Sequence, residues 1–66
     1  MIVNGEKIEL DTIAAPTLEG LIGYFKLAPQ RVAVELNGTL IPRGTYVETK
    51  LSENDTVEII HYVGGG

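Results

Sequence analysis

Cysteine and tryptophan are both absent from the 66 residues. Without cysteine no disulfide can staple the fold, no thiolate site can hold a metal, and the chain has no thiol nucleophile of its own. That suits a reducing compartment. The one histidine, His61, has no second imidazole or thiolate with which to share a metal ion. It is expected to be structural or exposed. Bases are scarce: five Lys and Arg stand against nine Asp and Glu, a net charge of −4. Such a surface repels the phosphates of nucleic acid and suits a basic patch on a protein partner. No apolar run approaches the ~20 residues needed to cross a bilayer. The start lacks the basic and long apolar segments of a signal peptide. A cytoplasmic protein with no membrane partner is therefore expected. The carboxylates at Glu6, Glu9, Glu35, Glu48, Glu53 and Glu58 are scattered, and neither a paired-carboxylate nor a serine–histidine arrangement is evident. A chain this short buries only about 60% of the surface its unfolded form exposes. One domain is expected, with little room for an enclosed catalytic pocket.

What is present is strong local punctuation. Asn4-Gly5 separates Met1-Ile2-Val3 from Glu6-Lys7-Ile8-Glu9-Leu10. Asn-Gly between alternating runs is a strong signal for a two-residue hairpin turn, because both residues tolerate positive φ. Met1, Val3, Ile8 and Leu10 should share the inner face, with Lys7 and Glu9 in water. After a connection over residues 11–16, Thr17 is placed to cap a helix, and Glu19 sits where the helix dipole favours an acid. Leu18, Leu21, Ile22 and Phe25 follow at i, i+3, i+4 and i+7, one apolar stripe. Pro29 should end the helix near Leu27 or Ala28. Gly20 and Gly23 each cost about 1 kcal/mol inside a helix. Either they permit a close approach of the sheet or they only weaken the helix.

Val32-Ala33-Val34-Glu35-Leu36 reads as a strand, Asn37-Gly38 as a second hairpin turn, and Thr39-Leu40-Ile41 as the return, stopped by Pro42. Residues 43–50 have no clean period and read as a loop with room for one helical turn, with Tyr46 or Val47 tucked inward. Ser52-Glu53-Asn54-Asp55 reads as a turn in which Asn54 can take a left-handed conformation. The longest strand is expected over residues 56–63. One helix must cover one face of one mixed sheet. Placing the last strand centrally and parallel to the first buries both. That arrangement is an α+β fold of the β-grasp (ubiquitin-like) type, with a domain over residues 1–63 and a flexible glycine tail at 64–66.

The opening Met-Ile-Val-Asn-Gly, the run from Val32 to Gly38, Ile41-Pro42-Arg43, the stretch from Leu51 to Ile60, and the ending Val63-Gly64-Gly65-Gly66 resemble the ThiS family, in that order and over essentially the whole chain. These are ubiquitin-like sulfur carriers of bacterial thiamine biosynthesis. Two departures stand out: Asn54-Asp55 where the family usually has Gly-Asp, and the helix glycines at 20 and 23.

Gly64, Gly65 and Gly66 have no side chains to clash with a narrow channel, and fully extended they span about 10 Å. A free α-carboxylate, with a pKa of about 3.3–3.7, is an anion and a poor electrophile near neutrality. The resemblance implies how it is activated. A ThiF-like adenylating enzyme, similar to ubiquitin-activating enzymes, uses ATP and Mg to make the Gly66 acyl-adenylate. Sulfur from a cysteine desulfurase then displaces AMP, and the Gly66 thiocarboxylate serves a ThiG-like thiazole synthase. On this reading the chain is a carrier and co-substrate that is not itself an enzyme, binds no cofactor or metal, and has Gly66 as its modified residue.

On the last strand Val57 and Ile59 should face the helix. Glu58, Ile60 and Tyr62 should share the open face with Ile2, Ala33 and Glu35. An apolar patch ringed by acids is a candidate docking site for the partners, with Tyr62 as its anchor. Arg43 is expected to contact either a partner or the chain's own backbone. Three other readings fit the same residues: a sulfur carrier for molybdopterin, tRNA thiolation or cysteine synthesis; a ubiquitin-like protein modifier; or an interaction module with an inert tail.

Overall fold

The computed structural model describes residues 1–62. Five strands, β1 (Ile2–Val3), β2 (Glu6–Lys7), β3 (Val32–Leu36), β4 (Thr39–Ile41) and β5 (Thr56–His61), form one mixed sheet in the order β2-β1-β5-β3-β4. Helix α1 (Leu18–Tyr24) lies between the two hairpins in sequence and covers one face. The expected β-grasp arrangement is present: β5 is central, parallel to β1 and antiparallel to β3.

Both Asn-Gly turns have the backbone expected of them, with positive φ at Asn4 (51°), Gly5 (84°), Asn37 (52°) and Gly38 (86°). Each asparagine also does something that periodicity does not reveal. The Asn4 side chain lies beside β5, where its Oδ1 accepts from the Ile59 N–H (2.7 Å) and its Nδ2 donates to the Ile59 carbonyl (3.2 Å). It continues the β1–β5 ladder after the β1 backbone has turned away. Asn37 ties the other hairpin to the start of β5: its Oδ1 accepts from the Thr56 N–H (2.9 Å), and its Nδ2 donates to Asp55 Oδ1 (3.0 Å).

Helix α1 begins as expected, with the Gly20 N–H donating to the Thr17 hydroxyl at 3.1 Å. Leu18, Leu21 and Ile22 are fully buried against Val3, Val32, Val34 and Val57. At about 1.5–3 kcal/mol for each fully buried aliphatic side chain, this layer outweighs the weak intrinsic helicity of a segment holding two glycines. Tyr46 is buried and Val47 exposed, which settles which of the two turns inward.

Three boundaries and one turn conformation differ from the sequence reading. The helix ends at Tyr24, short of Leu27, because Lys26 adopts φ 59°. The Lys26 N–H donates to Gly23 O (3.0 Å) and the Leu27 N–H to Ile22 O (3.1 Å). This closes the last turn and folds Leu27 back onto the core. The second strand was expected to reach Leu10, but stops at Lys7 with one further pairing bond, Ile8 N–H to Met1 O. A 3₁₀ turn over Leu10–Thr12, closed by the Thr12 N–H to Glu9 O and the Ile13 N–H to Leu10 O, carries the chain away from β1. Asn54 is not left-handed, since the only non-glycine residues with positive φ among those described are Asn4, Lys26 and Asn37. Its turn is closed instead by the Asp55 carboxylate, which accepts from the Ser52 N–H at 2.8 Å. The last strand ends at His61 rather than Val63, and Val63 with the tail 64–66 lies outside the described residues.

The choice left open at the helix glycines is resolved differently for each. A Cβ on Gly20 would collide with the Ala15 carbonyl, so the close approach comes from the preceding loop rather than the sheet. A Cβ on Gly23 would meet nothing, and that glycine simply weakens the helix.

Candidate functional site

Alternation along β5 divides its side chains between two environments. Val57 and Ile59 point into the core, whereas Glu58, Ile60 and Tyr62 lie on the open face. Register then decides their neighbours. Ala33 sits opposite Ile60, Glu35 opposite Glu58, and Ile2 opposite Thr56. The expected face is therefore assembled across three adjacent strands. Ile2 is 39% exposed, Ile60 53% and Tyr62 54%. Ala33 is half-buried.

Leu40 belongs to this face and escaped the sequence reading. It stands opposite Glu35 on β4 and is 65% exposed. The signal was there in the alternation of β4, since Ile41 packs on the core and its neighbour must then point outward. The apolar surface thus continues from Ile60 across β3 to the sheet edge.

The electrostatics of the face are one-sided. Glu35 and Glu58 are exposed and directly opposed, a like-charge pair that costs the sheet stability. The side chains that form ion pairs among the described residues are Glu53 with the Met1 amino group and Glu9 with Lys7, so neither of the opposed glutamates is neutralised in this way. The one carboxyl with a shift among the described residues, Asp55, lies off the face at the β4–β5 connection. The Asn37 side-chain hydrogen bond holds it below its ordinary value of 3.8, partial burial opposes this, and the Ser52 bonds reinforce it.

The way out of the domain is fixed by one last ladder bond, from the Tyr62 N–H to the Arg31 carbonyl at 2.8 Å. His61 is exposed at the end of β5, beside this exit. Arg43 contacts the chain's own backbone: its Nε donates to Pro29 O (2.9 Å) and its Nη2 to Val32 O (3.1 Å). Gly64, Gly65 and Gly66 lie outside the described residues. No helix among the described residues is long and apolar enough to cross a membrane.

This geometry has close counterparts. The crystal structure of the thiamine biosynthesis protein ThiS from Geobacter metallireducens superposes with a TM-score of 0.77 at 32% identity, covering 98% of this chain and 96% of that one. The sulfur carrier protein ThiS of Bacillus subtilis is 38% identical over 50 residues, which is 76% of either chain. A thiazole synthase of Magnetococcus marinus is 44% identical over 64 residues, 97% of this chain and 19% of that protein. A second, from Paramagnetospirillum magneticum, is 33% identical over 66 residues. The chain spans about a fifth of the length of these two synthases. The ThiS family profile matches residues 1–66, and with the fold and these relatives it shows that the chain belongs to the ThiS family of sulfur carriers of thiamine biosynthesis.

Proposed function

We propose that the chain carries sulfur as a thiocarboxylate on Gly66. The Gly66 carboxylate attacks the α-phosphorus of ATP on a ThiF-like adenylating enzyme, with Mg held there, and pyrophosphate leaves. A persulfide charged by a cysteine desulfurase attacks the acyl carbon and releases AMP. A second thiol of the partner then cleaves the sulfur–sulfur bond, forming a disulfide and leaving the thiocarboxylate. The observation that carries this reading is the family match running through Gly64-Gly65-Gly66. Glycine suits that place, because backbone without side chains follows whatever path a narrow active site imposes. The stretch resembling this chain within proteins named thiazole synthase supports a ThiG-like synthase as the sulfur acceptor. ATP, Mg and the bond-making groups belong to the partners, and this chain is their co-substrate rather than a catalyst.

Docking falls to the open face. Ile2, Ala33, Ile60 and Tyr62, extended by Leu40, offer the apolar contact, and Glu58 with Glu35 favours a partner bearing Arg or Lys there. Tyr62 is both an exposed aromatic anchor and the last described residue before the tail.

The test is the mass of the C-terminal peptide from cells making thiamine. A fraction with one oxygen replaced by sulfur at Gly66 is expected. Deleting Gly65 and Gly66 should leave thermal unfolding unchanged and abolish that species. Sulfur transfer by the truncated chain would overturn the proposal.

A further inference from the structure

The Arg43 side chain takes over where the β3–β4 ladder stops. The pairs Val34–Ile41, Glu35–Leu40 and Leu36–Thr39 set the register, which extrapolates to Pro42 opposite Ala33 and residue 43 opposite Val32. Pro42 has no N–H to donate. Beyond it, the Arg43 guanidinium donates to the Val32 carbonyl and, with a second nitrogen, to the Pro29 carbonyl. These two carbonyls bracket the turn Pro29–Arg31. On the other side of β3, the carbonyl of Arg31 accepts the last ladder bond of β5, from the Tyr62 N–H. Arg43 therefore grips the segment from one side while the departing chain is tied to it from the other.

We propose that Arg43 is a positioning residue that fixes the point and direction at which the C-terminal segment leaves the domain. The guanidinium offers each carbonyl its own donor nitrogen in one rigid plane, whereas lysine must reach both from a single nitrogen on a flexible stem, so lysine is a poor replacement. With the grip lost, the 29–32 segment frays and the Tyr62 bond opens with it. The last described anchor then retreats along β5, and the point from which a partner must take up the chain is no longer fixed. Reaction geometry suffers more than docking, because the open face keeps its contacts. The functional half of this inference rests on the sulfur-carrier reading; the structural half does not.

The experiment uses the full chain as wild type, Arg43→Lys and Arg43→Met, the last keeping much of the aliphatic stem. Amide hydrogen exchange at Tyr62 is expected to speed up about tenfold in both variants, the scale of one lost hydrogen-bonded anchor, while Val34 and Ile59 keep wild-type protection. With the purified adenylating enzyme and ATP, kcat for adenylation should fall several-fold at little-changed KM. Unchanged Tyr62 exchange would overturn the inference whatever the chemistry does. Faster exchange with unchanged kcat would refute the positioning role. Failure of wild type to be adenylated at all would refute the carrier reading and leave the exchange result standing.

Discussion

Replacing Asn4 with alanine removes two hydrogen bonds to one residue of the central strand, Ile59, whose N–H and carbonyl both use the Asn4 amide. Each such bond contributes about 0.5–1.5 kcal/mol, and an unsatisfied, part-buried partner costs more. Alanine must also hold φ near 51°, where an L-residue other than Asn or Gly is strained by ~1 kcal/mol. Together these give a loss of roughly 2–4 kcal/mol. For a domain of this size the total stability is on the order of 3–10 kcal/mol. The midpoint of thermal unfolding should therefore fall by at least about 10 °C, read by circular dichroism. Asn4→Gly separates the contributions, because it relieves the backbone and keeps only the hydrogen-bond loss. It should fall between alanine and wild type. An Asn4→Ala protein within about 0.5 kcal/mol of wild type would refute the reasoning, since ordinary surface changes fall in that range.

Gly23→Ala should raise stability by up to about 1 kcal/mol, since nothing occupies the space of the new methyl group. Gly20→Ala should lower it, because the methyl group meets the Ala15 carbonyl; equal melting shifts for the two would contradict the structure. Asp55, with its carboxyl held below 3.8 in the folded chain, adds stability above that pH and loses it as pH falls through the lower folded value. The melting difference between wild type and Asp55→Ala should accordingly narrow in strong acid, and a constant difference from neutrality to about pH 2 would argue against that linkage. Ile60→Asp and Tyr62→Ala should weaken binding to the adenylating enzyme in a calorimetric titration while the exposed positions leave unfolding nearly unchanged; unaltered affinity in both would exclude the open face as the dock.

The elements most legible in the sequence were those fixed by local chemistry: the two Asn-Gly turns, the Thr17 cap, the inward alternation of Val57 and Ile59, and the stripe from Leu18 to Ile22. What stayed hidden depends on groups distant in the chain. Nothing near Asn4 announces a partner 55 residues away. The end of the helix at Tyr24 was obscured because lysine occupies the left-handed position where glycine or asparagine would have marked it. The Asn54 expectation failed because the Asp55 carboxylate caps the turn without needing positive φ beside it. On the open face, residue identities emerged from alternation alone, but the opposition of Glu35 to Glu58 required the register between β3 and β5.

The middle of the sheet is supplied by the last of its five strands in sequence. Until residues 56–61 emerge from the ribosome, β1 has only its short partner β2, and the β3–β4 hairpin has nothing on its other flank. Two preformed halves must wait for a keystone that enters between them, one side parallel and the other antiparallel. Assembly of the domain should therefore wait for β5 and come nearly all at once, and a ribosome stalled before Thr56 should display a protease-sensitive nascent chain rather than a half-built domain.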